Sequence, residues 1–350
     1  MSRDTGPAPL LVGAPLAALY GLAVRFRNKR YDAGRHVWTP TIPVISVGNL
    51  TVGGVGKTPV VQRFARLLQS HGHRPAVLLR GYKPIAPGVS DEQAEHADAL
   101  PGVVVVANPD RIAAVQSLLS LPQQERPTCV ILDDGFQHRQ LGRTLDVVLI
   151  DARKSPWRDR LLPAGWLRES PASLRRADTV VLTHADLASD NEIAQLSERI
   201  ESVQGMAPIA LTRHAWTGFQ IHTPNQITAN QAPVSWLARR RVVVLSAIGK
   251  PGQLLTMVQN AGGEIVDRLI GRDHAKFRPA AVATILKALD PDRGDAVLCT
   301  AKDWPRLSPA LPAGFCAPVA YPVLSIEAIR GGDALDQLVL DAAGPPELPE

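Results

Sequence analysis

A glycine-rich segment near residue 56 constrains this chain more than any other feature. Residues 51–58 read TVGGVGKT and follow an apolar stretch, 41–48, that is rich in β-branched residues. Residues 58–71 then carry apolar side chains at helical spacing. A phosphate-binding P-loop has the pattern G-x-x-x-x-G-K-[ST] between a strand and a helix. We therefore predict a nucleotide-binding loop here, although Thr51 stands where the pattern has its first glycine.

The residues of this loop have distinct expected roles. Its glycines let backbone N–H groups turn toward phosphate oxygens, and the start of the following helix adds a partial positive charge. Lys57 is expected to reach the β- and γ-phosphates of ATP, and the Thr58 hydroxyl to ligate Mg²⁺. The predicted nucleotide-binding residues of the loop are Thr51, Val52, Gly53, Gly54, Val55, Gly56, Lys57 and Thr58.

A second apolar stretch ends in two carboxylates. Residues 129–134 read CVILDD, and GFQH follows directly. P-loop proteins place a carboxylate at the end of such a strand to hold Mg²⁺, directly or through water. We predict that Asp133 and Asp134 hold the metal. We predict that Gln137 and His138 orient the metal or the phosphates from the carboxyl edge of the sheet, where ligands bind.

The remaining pattern indicates an α/β fold. Continuous Val, Ile and Leu stretches alternate with helical stretches, which is typical of a parallel sheet covered on both faces. Residues 213–240 are rich in Thr, Asn, Gln and Pro, and a second strand–helix series starts near 240. We therefore predict an N-terminal membrane-associated helix in 1–35, a P-loop NTPase-like parallel core in 36–212, a connecting region in 213–240 and a smaller α/β lobe in 241–350.

The N-terminal segment combines an apolar stretch with a basic end. Residues 5–24 carry no charge, and the basic residues that follow are Arg25, Arg27, Lys29, Arg30 and Arg35. A signal peptide has its basic residues before the apolar stretch, so this order argues against one. The segment fits a helix lying in a membrane interface, and a helix docked on the main domain is the alternative. The net charge of +5 likewise favours anionic partners.

Cysteine spacing excludes two classes of small-domain scaffold. The three cysteines, Cys129, Cys299 and Cys316, are far apart and form no CxxC pair. No disulfide framework or zinc site is therefore expected. All three lie in apolar stretches, which predicts buried thiols.

Several segments together resemble the tetraacyldisaccharide 4'-kinases, the lipid A 4'-kinases of Gram-negative bacteria. The resemblance covers about residues 10–310 and rests on PLAALYGLAVRFRNKRYDAGR, VISVGNLTVGGVGKTP, LLRGY, VILDDGFQHR, LPAGWLRES, RDHAKF and TAKDWPRL. That family carries Ser or Thr at the position of Thr51. The resemblance implies transfer of the ATP γ-phosphate to the 4'-hydroxyl of a tetraacylated glucosamine disaccharide 1-phosphate in lipid A biosynthesis. It implies Mg²⁺ as a cofactor, no nucleic acid partner, and action at the anionic cytoplasmic face of the bacterial inner membrane.

The resemblance also assigns a proton acceptor. In the family, an aspartate in a loop that commonly reads GDEP accepts the hydroxyl proton, and Asp91 matches it, while Ser90 and Gln93 depart from the pattern. The family pairs this aspartate with a histidine of the second lobe, in a motif that usually reads DHH. His274 matches that histidine, and Ala275 departs from the motif. A positioned base is useful because a sugar hydroxyl is a poor nucleophile.

Further charged residues follow from the same matching segments. Arg168 is expected to neutralise charge that develops on the phosphoryl group, and Glu169 to support the metal. Arg111, in PDRIAAV, is a candidate for binding a phosphate of ATP or of the substrate. Lys302 and Asp303 match a motif of the second lobe, where a structural role is an open alternative.

Three other classes of protein compete with this interpretation. A partitioning or metallochaperone-type P-loop ATPase or GTPase is the main alternative, but several of those carry KGGVGKT, and Val52 replaces that lysine here. A non-catalytic nucleotide-binding membrane adaptor is disfavoured by the DDGFQH residues and Asp91, since a protein that only binds nucleotide needs no proton acceptor. A dinucleotide-binding oxidoreductase is disfavoured because Lys57 falls where a G-x-G-x-x-G loop needs a close backbone approach.

Overall fold

The computed structural model describes residues 7, 10–81, 84–86, 89–223, 230–248, 251–272, 275–289 and 295–346. The helices are α1 (Leu10–Asp32), α2 (Lys57–Ser70), α3 (Asp91–Ala99), α4 (Arg111–Leu119), α5 (Asp190–Gln204), α6 (Pro251–Asn260), α7 (Pro279–Ile285), α8 (Trp304–Leu307) and α9 (Gly332–Ala343). The strands are β1 (Val44–Asn49), β2 (Pro75–Leu79), β3 (Pro84–Ala86), β4 (Val89–Ser90), β5 (Val104–Ala107), β6 (Cys129–Asp133), β7 (Leu145–Asp151), β8 (Thr179–Thr183), β9 (Ala210–His222), β10 (Asn230–Ala232), β11 (Arg241–Ser246), β12 (Glu264–Ile270), β13 (Ala296–Leu298) and β14 (Val319–Arg330). Two compact units divide the chain, Met1–His214 with Ile326–Glu350, and Ala215–Ser325.

A parallel sheet organises the first unit. Its strands run in the order β8-β7-β1-β6-β2-β5, and the start of β9 pairs with β8. The strand β1 lies between β7 and β6, and both neighbours run parallel to it. The carboxyl ends of parallel strands meet at one edge of a sheet, so the loops after β1, β6, β7 and β8 converge there. The prediction of a parallel α/β core is confirmed.

The helix α2 packs against this sheet through one apolar face. Its residues Val60, Val61, Phe64 and Leu68 are buried at helical spacing, and they share a core with Ile45 of β1. Burying a side chain of this size contributes about 1.5–3 kcal/mol. The start of α2 is therefore held at a fixed position beyond the end of β1.

The C-terminal helix belongs to the first unit, which differs from the predicted lobe over 241–350. Leu335, Val339 and Ala343 of α9 are buried in the same core as α2. Arg63 of α2 also forms an ion pair with Asp336 at 2.6 Å. Because an amphipathic helix can pack on either of two α/β sheets, its sequence alone did not identify the sheet that it covers.

The second unit is also built on parallel strands. Its strand order is β12-β11-β13-β14, and its two apolar cores lie on either side of the buried strand β11. The described part of the predicted irregular connection over 213–240, residues 213–223 and 230–240, is instead largely structured. It contains most of the long strand β9, which pairs with β10, and a 3₁₀ turn at Val234–Leu237. Its Thr, Asn and Gln residues misled the prediction because half-exposed strands tolerate polar side chains.

The N-terminal helix α1 docks on the first unit through one face. The Tyr20 hydroxyl donates to the Arg168 carbonyl oxygen at 3.0 Å, and Ala17 on the same face is buried. Arg139 forms an ion pair with Asp32 at the end of the helix, at 2.8 Å. Among the described helices, none is both long and apolar enough to cross a membrane.

The cysteines confirm two of three predictions. Cys129 and Cys299 are buried, and burial raises the pKa of the Cys129 thiol to about 12. Cys316 is exposed, so the prediction for this residue is wrong. It lies in the connection between the 3₁₀ turn Ser308–Ala310 and β14 rather than in a strand, so its apolar neighbours do not place it in a core.

Candidate nucleotide and phosphoryl-transfer site

The glycine-rich loop lies between β1 and α2, as predicted. Gly53 and Gly56 have left-handed φ angles of 118° and 89°, which glycine adopts without strain. The Asn49 side-chain amide donates to the Thr51 carbonyl oxygen at 2.8 Å and to its hydroxyl at 3.0 Å. The Thr51 hydroxyl thus gives the loop a hydrogen bond that a glycine, which has no side chain, could not make. The Val52 N–H donates to the Trp166 carbonyl oxygen at 2.8 Å, which fixes the start of the loop.

A network of charged and amide groups surrounds the loop lysine. The Lys57 ammonium donates to Asn49 Oδ1 at 3.0 Å and lies 3.3 Å from Asp134 Oδ1. Arg168 donates from Nη1 to Asp134 Oδ2 at 2.6 Å and to Gln137 Oε1 at 3.3 Å. The Gln137 amide in turn donates to the Asn49 carbonyl oxygen at 2.9 Å. Residues from three separate predicted motifs therefore meet at one end of the sheet.

Asp134 lies at the centre of this network. Burial opposes ionisation of its carboxyl, but the Lys57 and Arg168 cations outweigh that cost and lower its pKa. Its backbone has a left-handed φ of 60°, which is uncommon for a residue with a side chain. Such strain is tolerated where the surrounding structure fixes a functional geometry. An ionised carboxylate is therefore held in a fixed position beside Lys57.

The neighbouring carboxylate, Asp133, has a different partner. Its Oδ2 lies 2.9 Å from Nε2 of His96, and both side chains are buried. His96 belongs to α3, so this contact ties that helix to the carboxyl end of β6. Sequence reasoning missed His96, because the two residues are 37 positions apart and nothing local links them.

The proposed proton acceptor and its partner are described only in part. Asp91 is the first residue of α3, and the structure describes its backbone but not its side chain. His274 lies outside the described residues. The catalytic roles of Asp91 and His274 therefore stay predictions. Among the three predicted catalytic residues, Arg168 is the one with a described side-chain environment, beside Asp134.

Arg111 and His138 lie close to each other. Arg111, the first residue of α4, is buried and donates to the Asn108 carbonyl oxygen at 2.5 Å. Burial lowers the pKa of His138 to about 4, and the nearby Arg111 and Arg143 cations add to this effect. His138 is therefore neutral near pH 7. The roles predicted for Arg111 and His138 toward phosphates or metal stay predictions.

Glu169 lies in a buried ion-pair cluster. Its fully buried carboxylate receives two hydrogen bonds from Arg176, both at 2.9 Å, and one from Asn28 at 2.7 Å. Arg27 also lies 3.5 Å from Oε1. The Arg176 guanidinium packs on the Phe136 ring, where a largely buried cation needs a carboxylate partner. Glu169 thus belongs to an ion-pair cluster beneath α1, and its predicted support of the metal stays a prediction.

The oxygen groups near the loop fit a magnesium ion. Thr58 is the second residue of α2, Asp133 ends β6 and Asp134 follows it, so one hydroxyl and two carboxylates come from these two elements. Magnesium prefers oxygen ligands and is usually held by one or two carboxylates together with substrate phosphates. Within the described residues, no three His, Cys, Asp or Glu side chains cluster closely enough to hold a metal by themselves. Phosphate oxygens would complete a magnesium site here.

Comparisons with known proteins agree on one family. The model of the family described as tetraacyldisaccharide-1-P 4'-kinase, LpxK, matches residues 9–342. A tetraacyldisaccharide 4'-kinase of Anaeromyxobacter dehalogenans (strain 2CP-1) is 34% identical over 361 residues, covering 97% of this chain and 92% of that protein. The Geobacter sulfurreducens enzyme is 36% identical over 330 residues, covering 87% of each chain.

A solved structure agrees in fold. LpxK from Aquifex aeolicus in complex with ATP is 31% identical, with a TM-score of 0.70, covering 94% of this chain and 98% of that chain. The P-loop α/β fold predicted from the sequence is thus confirmed by a relative solved with ATP. The matches extend over nearly the whole chain rather than over the glycine-rich loop alone. This chain therefore belongs to the tetraacyldisaccharide-1-P 4'-kinase family.

Proposed function

We propose that this protein transfers the γ-phosphate of ATP to the 4'-hydroxyl of a tetraacylated glucosamine disaccharide 1-phosphate, a lipid A precursor. The observation that carries this proposal is the convergence of Lys57, Asp134 and Arg168 beside a glycine-rich loop, in a chain of this family. Phosphoryl transfer needs cationic side chains at the phosphates and a carboxylate that can hold Mg²⁺, and these three residues supply both.

The loop and its neighbours divide the work of transfer. Backbone N–H groups of the loop bind the phosphates, and Lys57 holds the β- and γ-phosphates at the start of α2. Arg168 stabilises the charge that spreads over the transferred group. Magnesium, held by Thr58, Asp133 and Asp134, would neutralise phosphate charge when bound. The phosphoryl group leaves the ADP oxygen and bonds to the sugar oxygen.

A proton must leave the sugar hydroxyl as the new bond forms. Asp91 accepts this proton in our proposal, with His274 as its partner. Support comes from the position of Asp91 at the first residue of α3. The same helix is tied to β6 through the contact of His96 with Asp133.

Consumption of ATP in the presence and absence of lipid tests the proposed reaction. We expect ATP turnover to depend on the tetraacylated disaccharide 1-phosphate and to yield one new phosphomonoester per ATP, detected at the 4' position by ³¹P NMR. Lys57→Ala should abolish it, since the lysine binds the phosphates. Turnover that is independent of lipid, with no new phosphomonoester, would favour the P-loop ATPase alternative.

The helix α1 supports a second part of the proposal, contact with the anionic cytoplasmic face of the bacterial inner membrane. Large apolar side chains lie along one face at steps of three and four residues, with 46–67% of each exposed: Val12, Leu16, Leu19, Leu22 and Phe26. The opposite face docks on the protein through Ala17 and Tyr20. Basic residues at the end of α1 would meet anionic headgroups. An exposed apolar face of this kind marks an interaction surface.

Vesicle binding tests this contact. Leu19→Asp with Leu22→Asp should weaken cosedimentation with phosphatidylglycerol-containing vesicles by more than about tenfold, because two apolar side chains no longer enter the bilayer. Leu187→Asp is a matched control, since Leu187 is also an exposed leucine but lies away from α1, in a 3₁₀ turn after β8. Equal binding by the double variant and the wild type would contradict the membrane proposal.

A further inference from the structure

We infer that Thr183 is a positioning residue that orients a backbone N–H of the glycine-rich loop toward the phosphates of the nucleotide. Thr183 ends β8, and its side chain is fully buried. Its hydroxyl donates to the Val55 carbonyl oxygen at 2.8 Å. The Ile150 carbonyl oxygen lies farther from the hydroxyl, at 3.5 Å. A strand two positions away from β1 thus contacts the loop directly.

The geometry of the peptide unit links the Thr183 hydrogen bond to the direction of the Gly56 N–H. A trans peptide is planar, so the C=O of Val55 and the N–H of Gly56 point in opposite directions. Because the Thr183 hydroxyl fixes the Val55 carbonyl on the β8 side, the Gly56 N–H points away from β8. Anion-binding loops work by directing successive N–H groups to the same side. The Gly56 N–H can therefore face a phosphate only while the Val55 carbonyl is held on the opposite side of the peptide.

A histidine restrains the same peptide from its other end. A Cβ on Gly56 would overlap Nε2 of His214, so the imidazole lies directly against the Gly56 backbone. The His214 ring lies 4.2 Å from the ring of His184, which follows Thr183 in the chain. Rotation of the Val55–Gly56 peptide would therefore break the Thr183 hydrogen bond and displace the imidazole.

The inference rests on the nucleotide function of the loop and predicts a particular kinetic effect. ADP and ATP share the β-phosphate, so a misdirected Gly56 N–H weakens the binding of both. An interaction made equally in the ground state and the transition state affects KM more than kcat. Loss of the Thr183 hydroxyl should therefore raise the KM for ATP and the Kd for ADP in parallel. The maximal rate should fall less.

The test compares Thr183→Val, which removes the hydroxyl, with Thr183→Ser, which keeps it. We expect Thr183→Val to raise the Kd for ADP, measured calorimetrically without lipid, about three- to tenfold, as one lost hydrogen bond predicts. Thr183→Ser should stay within about twofold of the wild type. Thr212→Val is the matched control, since the buried Thr212 hydroxyl donates to the Leu182 carbonyl oxygen at 3.1 Å rather than to a residue of the loop.

Three outcomes would overturn the inference: wild-type ADP affinity in Thr183→Val, an equal loss in Thr183→Ser, or an equal loss in Thr212→Val. Circular dichroism melting establishes that each variant is folded before its affinity is measured. Because ADP binding is measured without lipid, this result is independent of the proposed lipid kinase reaction. Wild-type protein that binds ADP but phosphorylates no lipid would remove the proposed function and leave the role of Thr183 in place.

Discussion

Nε2 of His96 lies 2.9 Å from Oδ2 of Asp133, and this contact joins the helix that begins with Asp91 to the strand end that carries two adjacent carboxylates. The next residue, Asp134, is held by Lys57 and Arg168 instead. The two carboxylates thus have separate partners. One is connected to α3, and the other to the glycine-rich loop.

Replacing His96 with leucine should reduce kinase activity by about tenfold or more. The variant would leave the buried Asp133 carboxylate without its hydrogen-bond partner, at a free-energy cost of about 1–3 kcal/mol. The Mg²⁺ concentration for half-maximal activity should rise, because Asp133 is no longer oriented. His96→Gln keeps an N–H donor and should retain more of the activity. Binding of Mn²⁺ to the ADP complex, followed by electron paramagnetic resonance, gives a readout without turnover. Unchanged metal affinity in His96→Leu would contradict this role.

The free energy of unfolding should decrease as the pH is lowered, over a range set by the pKa of His138. Its pKa is lowered from 6.5 to about 4, first by burial and then by Arg111 and Arg143, so the folded state binds the proton less readily than the unfolded chain. The contribution of His138 to stability is therefore fully present above pH 6.5 and is lost as the pH falls toward about 4.

Urea unfolding at pH 7 and pH 5 measures this dependence. His138→Gln should show a smaller drop in the free energy of unfolding between the two pH values than the wild type. The drop should not vanish, since burial also lowers the pKa of His73 and His214. An equal drop in His138→Gln and the wild type would mean that His138 is not the titrating group.

Glu169→Ala should destabilise the fold by about 3–5 kcal/mol, the typical effect of leaving a buried charge without its partner. The largely buried Arg176 guanidinium would lose both of its 2.9 Å hydrogen bonds to that carboxylate. Glu327→Ala provides the control, because its ion pair with Arg213 is exposed and should contribute less than about 1 kcal/mol. Denaturant unfolding distinguishes the two. A weaker effect for Glu169→Ala than for Glu327→Ala would contradict the structural role.

Gly56→Ala should weaken ADP binding by more than about tenfold and destabilise the fold by about 1–3 kcal/mol. The alanine would combine a left-handed backbone, with φ of 89°, and a Cβ that overlaps His214. Gly205→Ala separates these effects, since Gly205 also has a left-handed φ, 98°, but no atom lies within 4 Å of the added Cβ. Equal losses in the free energy of unfolding of the two variants would indicate that overlap with His214 does not add to the destabilisation by Gly56→Ala.

The parts of the site that follow from local sequence were predictable. The glycine-rich loop and the pair Asp133 and Asp134 are short motifs whose positions depend on one strand and its following turn. The parallel core was predictable for a similar reason, because strands buried on both faces are continuously apolar. Arg168 was found only through family resemblance, since no spacing rule places it beside Asp134, 34 residues earlier.

Other contacts depend on tertiary structure and leave no local signal. Asn49 reaches Lys57 because β1 turns its last side chain toward the loop, and Thr183 reaches Val55 across 128 positions. Glu169 is a charged neighbour of Arg168 in the sequence, yet the two side chains have different partners. Alternation of direction along an extended segment separates such neighbours, and the sequence does not say which of them faces the loop.

Transfer of ³²P from labelled ATP to the tetraacylated disaccharide 1-phosphate in detergent micelles is the most direct test of the proposed kinase reaction. The wild type would be compared with Lys57→Ala and Asp91→Ala. We expect labelled lipid with the wild type and its loss in both variants, because Lys57 binds the phosphates and Asp91 accepts the proton. ATP turnover by the wild type without labelled lipid would contradict the claim that this site is a lipid-sugar kinase.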